Sequence, residues 1–141
     1  MNIVNSREDC LFCNIIAKKI PAAVIEEDPQ YIAILDAFPV ADGHTLLISR
    51  KHHDKIHNLP DETLSVMLPA AKKIVSKLMK ILTFTDYNLF INNGKDAGQT
   101  IGHVHLHVVP RIAGDNIFPF RHGAPREAAY FSDLLSRLNN Q

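Results

Sequence analysis

The sequence carries no surplus of either charge. Fifteen lysines and arginines balance fifteen aspartates and glutamates, which argues against nucleic acid as the main partner, because such binders usually carry a basic excess. No stretch approaches the roughly 18 consecutive apolar residues of a membrane helix, and residues 1–21 lack the apolar centre of a secretion signal. The expectation is a cytoplasmic protein with no membrane partner. Internal repeats and low-complexity segments are absent. Cysteine is scarce, with two in the chain. What is present is a 46% share of apolar residues over 141 positions. That suits one domain spanning 1–141 that buries about two-thirds of its unfolded surface, and it argues against general disorder.

The chain is organised around His103-Val104-His105-Leu106-His107-Val108-Val109. Histidine alternates with Val and Leu at period two, which predicts a β-strand over 103–109. One face then joins a core, and the other presents three imidazoles roughly 6–7 Å apart at each step. A lone strand histidine is usually a packing residue; three in alternation opposite an apolar set are not. Pro110 lacks the N–H that would continue the ladder and is expected to end the strand. Such a row can hold a metal with water in an open position, or an imidazole can itself attack a phosphoryl or nucleotidyl group. The approach to the strand separates these. Residues 92–102 supply three glycines, amides from Asn92, Asn93 and Gln99, and the Thr100 hydroxyl. Glycines let backbone N–H groups come close to an oxyanion, so the loop favours phosphate chemistry.

These residues resemble a family. Gln99-Thr100-Ile101-Gly102-His103-Val104-His105-Leu106-His107-Val108-Val109 is similar to the signature of the histidine triad superfamily, nucleotide hydrolases and transferases that work through a nucleotidylated histidine. The resemblance runs from about Cys10 to Arg111, with 112–141 as a tail of no fixed pattern. It departs at Thr100, where many members have serine, and at Gly102, where many have a larger residue. Its implied fold is α+β: an antiparallel sheet of about five strands, one long helix on one face, a short N-terminal helix, and the other face open to nucleotide. By resemblance His105 is the nucleophile, while His103, His107, His44, Asn92, Gln99 and Thr100 surround the phosphate. Asp36 binds the ribose hydroxyls, where a carboxylate can accept from both. Leu11, Phe12, Ile15, Ile20 and Leu35 match the apolar walls of a purine pocket, although periodicity alone would make them ordinary core.

Cys10-Leu11-Phe12-Cys13 holds both thiols. A cytosolic CxxC is more often metal-binding or redox-active than a structural disulfide. The redox reading needs a strand just before the motif, and none is evident; two unrelated buried thiols is the plainer alternative. A zinc site would need two more ligands, and histidine is the available type. The resemblance supplies His52, with His53 as a neighbouring rival, and His103. The zinc it implies is structural, and no organic cofactor is expected.

The remaining elements follow from local pattern. Asp9 is a candidate N-cap for a helix reaching Lys19. Strands are expected over 24–27, 31–36, 45–49 and 87–92. A long helix over 61–82, capped by Asp61, shows an apolar stripe of Leu64, Met67, Leu68, Ala71, Ile74, Val75, Leu78 and Leu82, with a kink or unpaired carbonyl expected from Pro69. Residues 124–138 include a candidate helix starting at Pro125. His57 and His122 carry no motif. The function expected is hydrolysis or transfer at the α-phosphate of purine nucleotide conjugates, a nucleoside phosphoramidate or similar. Alternatives are a dinucleoside polyphosphate hydrolase, a nucleotide-binding regulator with incidental hydrolysis, and a zinc hydrolase with the triad as ligands. A homodimer is expected, because the edge strand 87–92 has no proline or inward charge to blunt it.

Overall fold

A computed structural model of the chain describes residues 7–117 and 122–141; residues 1–6 of the N-terminal segment and 118–121 of the tail lie outside that description. The sheet has five strands, β1 (Val24–Glu27), β2 (Tyr31–Leu35), β3 (Thr45–Ser49), β4 (Asp86–Phe90) and β5 (His105–Arg111), in the order β1-β2-β3-β5-β4, with every neighbouring pair antiparallel. With helices α1 (Leu11–Ile16), α2 (Asp61–Leu78) and α3 (Ala128–Asn139) the architecture is α+β.

Period-two alternation sorts the strands onto two faces. Ala33, Leu47, Leu106 and Val108 form one core with Met67, Ala71, Ile74, Val75 and Leu78 of α2. Ile32, Ile34, Leu46 and Ile48 face the other way and form a second core with Phe12 and Ile15 of α1. The register Leu46↔His107 and Ile48↔His105 puts both histidines on the α1 face. The triad histidines therefore lie opposite the long helix. Among the described residues no helix is long and apolar enough to cross a membrane.

Several boundaries differ from the sequence expectation, each for a local reason. Helix α1 is capped by Cys10 rather than Asp9 and stops at Ile16, because Lys18 turns left-handed at φ 60° and the Lys19 and Ile20 N–H groups fold back onto the Asn14 carbonyl. Strand β5 begins at His105, not His103, and runs through Pro110 to Arg111. Pairing with β3 ends at Val108, so Pro110 has a strand neighbour on the β4 side alone, where a missing N–H is tolerated. Helix α2 is capped by Pro60, passes through Pro69 without a break and ends at Leu78. Leu68, placed in its stripe, is 56% exposed, while Thr63 and Ala70 are buried instead. At 3.6 residues per turn Leu68 lies about 100° round the helix from the seam through Met67, Ile74 and Leu78, which stay buried. Strand β4 spans Asp86–Phe90, which leaves Asn92 in the loop, and α3 starts at Ala128, three residues after Pro125, with no buried residue.

Candidate active site and metal centre

A cavity of about 430 Å³ opens on the α1 face of the sheet. Leu11, Phe12, Ile15, Ile34 and Leu46 make its apolar end; Asp36, His44, Phe90, Asn92, Thr100, His105 and His107 also line it. A cavity of about 480 Å³ beside Leu82, Phe84 and Pro110 is lined by no histidine or cysteine. Apolar walls with a few convergent polar groups mark the first as the candidate ligand site.

The imidazole protons can be placed from partners of fixed type. His105 Nδ1 lies 2.7 Å from the carbonyl oxygen of His103. A carbonyl only accepts, so Nδ1 carries the proton and Nε2 keeps its lone pair. The Val40 N–H donates to His44 Nδ1 at 3.2 Å, which makes Nδ1 the bare nitrogen and Nε2 the protonated one. Asp36 Oδ2 stands 3.5 Å from the same Nδ1, but an obligate backbone donor at shorter range decides the tautomer. His44 Nε2–H then donates to His107 Nδ1 at 2.9 Å, leaving His107 with its proton on Nε2. On the cavity side this leaves the unprotonated Nε2 of His105, with no donor bonded to it, beside the Nε2–H of His107.

Burial keeps these rings neutral. It pushes His105 below the usual imidazole range, and it takes His107 down to about 4, with repulsion from His105 and His44 adding to the effect. His44 is lowered by burial against an opposing pull from Asp36. Ring contacts hold the geometry: Phe90 stacks on His107 at 4.5 Å and 11°, and Phe12 meets His105 edge-on at 4.9 Å. Gly43, at φ 81°, makes the turn into His44; a Cβ there would sit 2.7 Å from a Leu82 methyl. Asp36 accepts the Phe38 N–H on Oδ1 at 2.8 Å, which fixes the loop at the cavity mouth.

Four expected site residues stand elsewhere, Gln99, Leu35, Ile20 and His103. Gln99 is spent as a staple: its Oε1 accepts the Gly94 N–H at 2.7 Å and its Nε2 donates to the Asp54 carbonyl at 2.7 Å. Leu35 is 41% exposed, because it alternates with Ile34 and so points away from the cavity. Ile20 is 36% exposed, carried off by the turn at Lys18. The glycine loop also differs from an open cradle: the N–H groups of Gly94, Ala97, Gly98 and Gln99 all bond within the loop. Among the described residues those of Thr100, Ile101 and Gly102 donate to no protein acceptor, so the free donors lie immediately before the histidines. Phe90, Ile34, Leu46 and Ile101 line the cavity without having been singled out. Their signal was alternation: each shares a strand face or loop with a residue that was.

His103 is fully buried and lines no part of this cavity. Its Nε2 donates to the Ser49 carbonyl at 2.6 Å, which leaves Nδ1 bare, 3.5 Å from Cys10 Sγ and 3.6 Å from Cys13 Sγ. His52 Nδ1 is 3.3 Å from Cys13 Sγ, and the four donor atoms all lie within 4.8 Å of one another. Zinc–sulfur and zinc–nitrogen bonds of about 2.3 and 2.0 Å at tetrahedral angles set sulfur and nitrogen about 3.5 Å apart. The set Cys10, Cys13, His52 and His103 therefore fits a closed tetrahedral ion. Burial raises the Cys13 thiol above its ordinary range, and the Arg7 N–H at 3.5 Å favours its thiolate. His52, not His53, stands with the other three donor atoms.

Comparisons with known proteins agree with this geometry. The HIT domain family model matches residues 17–114. A HIT-like protein of Methanocaldococcus jannaschii is 44% identical over 75% of this chain and 81% of its own length. An adenosine 5'-monophosphoramidase of Candida albicans is 36% identical over 96% of this chain and 90% of its own. A zinc-bound histidine triad family protein from Mycobacterium smegmatis shares 36% identity at a TM-score of 0.73, covering 94% of this chain and 96% of that one. With the match spanning most of the chain and the three histidines set on and beside β5, this protein belongs to the histidine triad (HIT) family.

Proposed function

We propose that the chain hydrolyses purine nucleotide conjugates, nucleoside 5'-phosphoramidates or close relatives, through a nucleotidyl-His105 intermediate. One observation carries this: the 2.7 Å bond from His105 Nδ1–H to the His103 carbonyl, which leaves Nε2 as the unprotonated nitrogen. In the first step that lone pair attacks the α-phosphorus, the P–N bond to the leaving amine breaks, and the amine takes a proton from solvent. In the second, water attacks the same phosphorus, the P–Nε2 bond breaks, and the water's proton returns to solvent. A neutral imidazole is both a good nucleophile and a good leaving group here. The remaining work is positioning and charge stabilisation. His107 Nε2–H and the N–H groups of Thr100 and Ile101 supply donors to phosphate oxygens, and Asn92 lines the same cavity. Asp36 takes the ribose hydroxyls and the Leu11, Phe12, Ile15 wall takes the base.

The name of the Candida albicans relative supports the phosphoramidate class. The Cys10, Cys13, His52 and His103 set would hold zinc as a structural ion, a reading supported by the zinc-bound relative. Thiols kept free for a metal suit the reducing cytoplasm. Among the described residues β4 has a neighbouring strand on one side, with Asp86 and Tyr87 exposed, which supports a homodimer formed through that edge. Light scattering that gives the mass of a single chain at micromolar concentration would refute the dimer.

The decisive experiment is a quenched reaction with an adenosine phosphoramidate, followed by mapping of the adduct by mass spectrometry. The expected adduct is on His105, and His105→Ala should lose several orders of magnitude in turnover while still binding AMP. An adduct on His107, or a His105→Ala variant within tenfold of wild type, overturns the mechanism. Running dinucleoside polyphosphates beside the phosphoramidates in the same assay fixes the leaving-group class.

A further inference from the structure

The peptide unit between His103 and Val104 joins the two clusters described above. Its carbonyl accepts the Nδ1–H of His105 at 2.7 Å, and its N–H donates to the His53 carbonyl at 2.7 Å. This unit lies outside the sheet, since β5 begins at His105 and its pairing with β3 stops at Ile48↔His105. Strand pairing reaches only the unit that follows, where the Val104 carbonyl accepts the Ser49 N–H of β3 at 3.2 Å; the two polar groups of this unit are oriented by His105 and His53. What flanks it is the metal-fitted set: His103 is one of the four donors, and His53, its partner across the gap, directly follows the donor His52. Cys10 and Cys13 come from the start of α1 and complete the ring around it.

We infer that Cys10, Cys13, His52 and His103, with zinc bound, form a positioning site for the nucleophile, acting on His105 through the His103 carbonyl. A metal bound to His52 and His103 ties together the two segments that clamp this peptide unit. The carbonyl is then held where it accepts from Nδ1 and keeps the lone pair on Nε2. None of the four donors lines the nucleotide-side cavity; they reach it through their neighbours, the His103 carbonyl on His105 and Phe12, which lies between the two cysteines and meets the His105 ring edge-on. Outer-shell partners that orient a functional imidazole are typically worth 10- to 100-fold. The inference rests on the reading of His105 as nucleophile.

The test uses the full chain in four forms: zinc-loaded, stripped by a chelator, stripped and reloaded with zinc, and His52→Cys, which keeps a closed set of three cysteines and one histidine. Metal content, circular dichroism and AMP binding by calorimetry accompany kcat and KM on an adenosine phosphoramidate. The signature that a merely structural ion would not move is the His105 Nδ1–H proton resonance in ¹⁵N-histidine-labelled protein, assigned by its loss in His105→Gln. Stripping should lower kcat about 10- to 100-fold with KM and AMP binding within about twofold, and should shift or broaden that resonance. Reloading and His52→Cys should restore both. A stripped protein that is folded, turns over within twofold of the loaded form and keeps the resonance in place overturns the inference. So does global unfolding on stripping, which assigns the site to stability alone. Adduct mapping on the loaded protein keeps the two ideas apart: no adduct on His105 sinks the nucleophile reading, whereas an adduct forming equally fast without zinc sinks only the positioning role.

Discussion

Replacing His44 by phenylalanine tests the proton arrangement that the mechanism depends on. His44 is buried, accepts from the Val40 N–H and donates to His107 Nδ1 at 2.9 Å. Phenylalanine fills the ring's place and offers no donor, so His107 Nδ1 faces a carbon and no water takes the vacated space. A buried acceptor left without its donor costs about 1–3 kcal/mol. His107 can recover this by moving its proton to Nδ1, but it then presents a bare Nε2 where a donor to phosphate is needed. Either way the loss falls on the transition state, and at about 1.4 kcal/mol per tenfold it amounts to roughly 5- to 150-fold in kcat/KM. His44→Gln, whose amide can donate from a similar place, should recover part of it. Stopped-flow measurement of adduct formation and of its hydrolysis would separate the two steps, both of which should slow. A His44→Phe enzyme that is folded and within twofold of wild type in both steps would refute the tautomer assignment.

Three further outcomes can be checked on the same protein. His107 titrates near 4 in the folded chain against an ordinary 6.5, so between those values the unfolded state binds the extra proton. The stabilisation from its neutral burial is complete above pH 6.5 and is lost as pH falls toward 4, by on the order of 3 kcal/mol; urea titrations at pH 7 and pH 4.5 should show the drop, and equal midpoints would contradict it. Gln99→Ala removes both ends of the loop staple and should destabilise the chain by about 1–3 kcal/mol. Gln99→Glu should not recover the loss, because its carboxylate can still accept the Gly94 N–H but would repel the Asp54 carbonyl. Tyr31→Phe deletes the 2.8 Å bond from a buried phenol to Glu26. Burial alone would raise the Glu26 carboxyl, yet Tyr31 and the Lys77 ammonium together hold it below its usual range. Loss of that bond should cost about 1.5–3 kcal/mol in thermal or urea unfolding and leave turnover unchanged.

The readable parts of this molecule are those set by local periodicity. His105, Leu106, His107 and Val108 alternate, and the structure sorts them onto two faces as period two demands. The α2 stripe finds its core through Met67, Ala71, Ile74, Val75 and Leu78. Leu35 was misplaced although the same rule applied: once Ile34 faces the cavity its neighbour cannot. Ile20 depended on a left-handed turn at Lys18, a conformation that lysine gives no reason to expect. Gln99 depended on Asp54, 45 residues away, and such a partner leaves no local trace. The proton positions divide in the same way. His105 and His44 take their tautomers from backbone groups two and four residues away, the His103 carbonyl and the Val40 N–H. His103 takes its own from the Ser49 carbonyl, 54 residues back. Histidine spacing therefore says which imidazoles share a face, whereas which nitrogen is free to attack is decided by the backbone around them. A triad motif alone would not distinguish three equivalent rings; the fold sets His103 beside Cys10, Cys13 and His52, leaves His105 with a bare Nε2, and leaves His107 with its proton on Nε2.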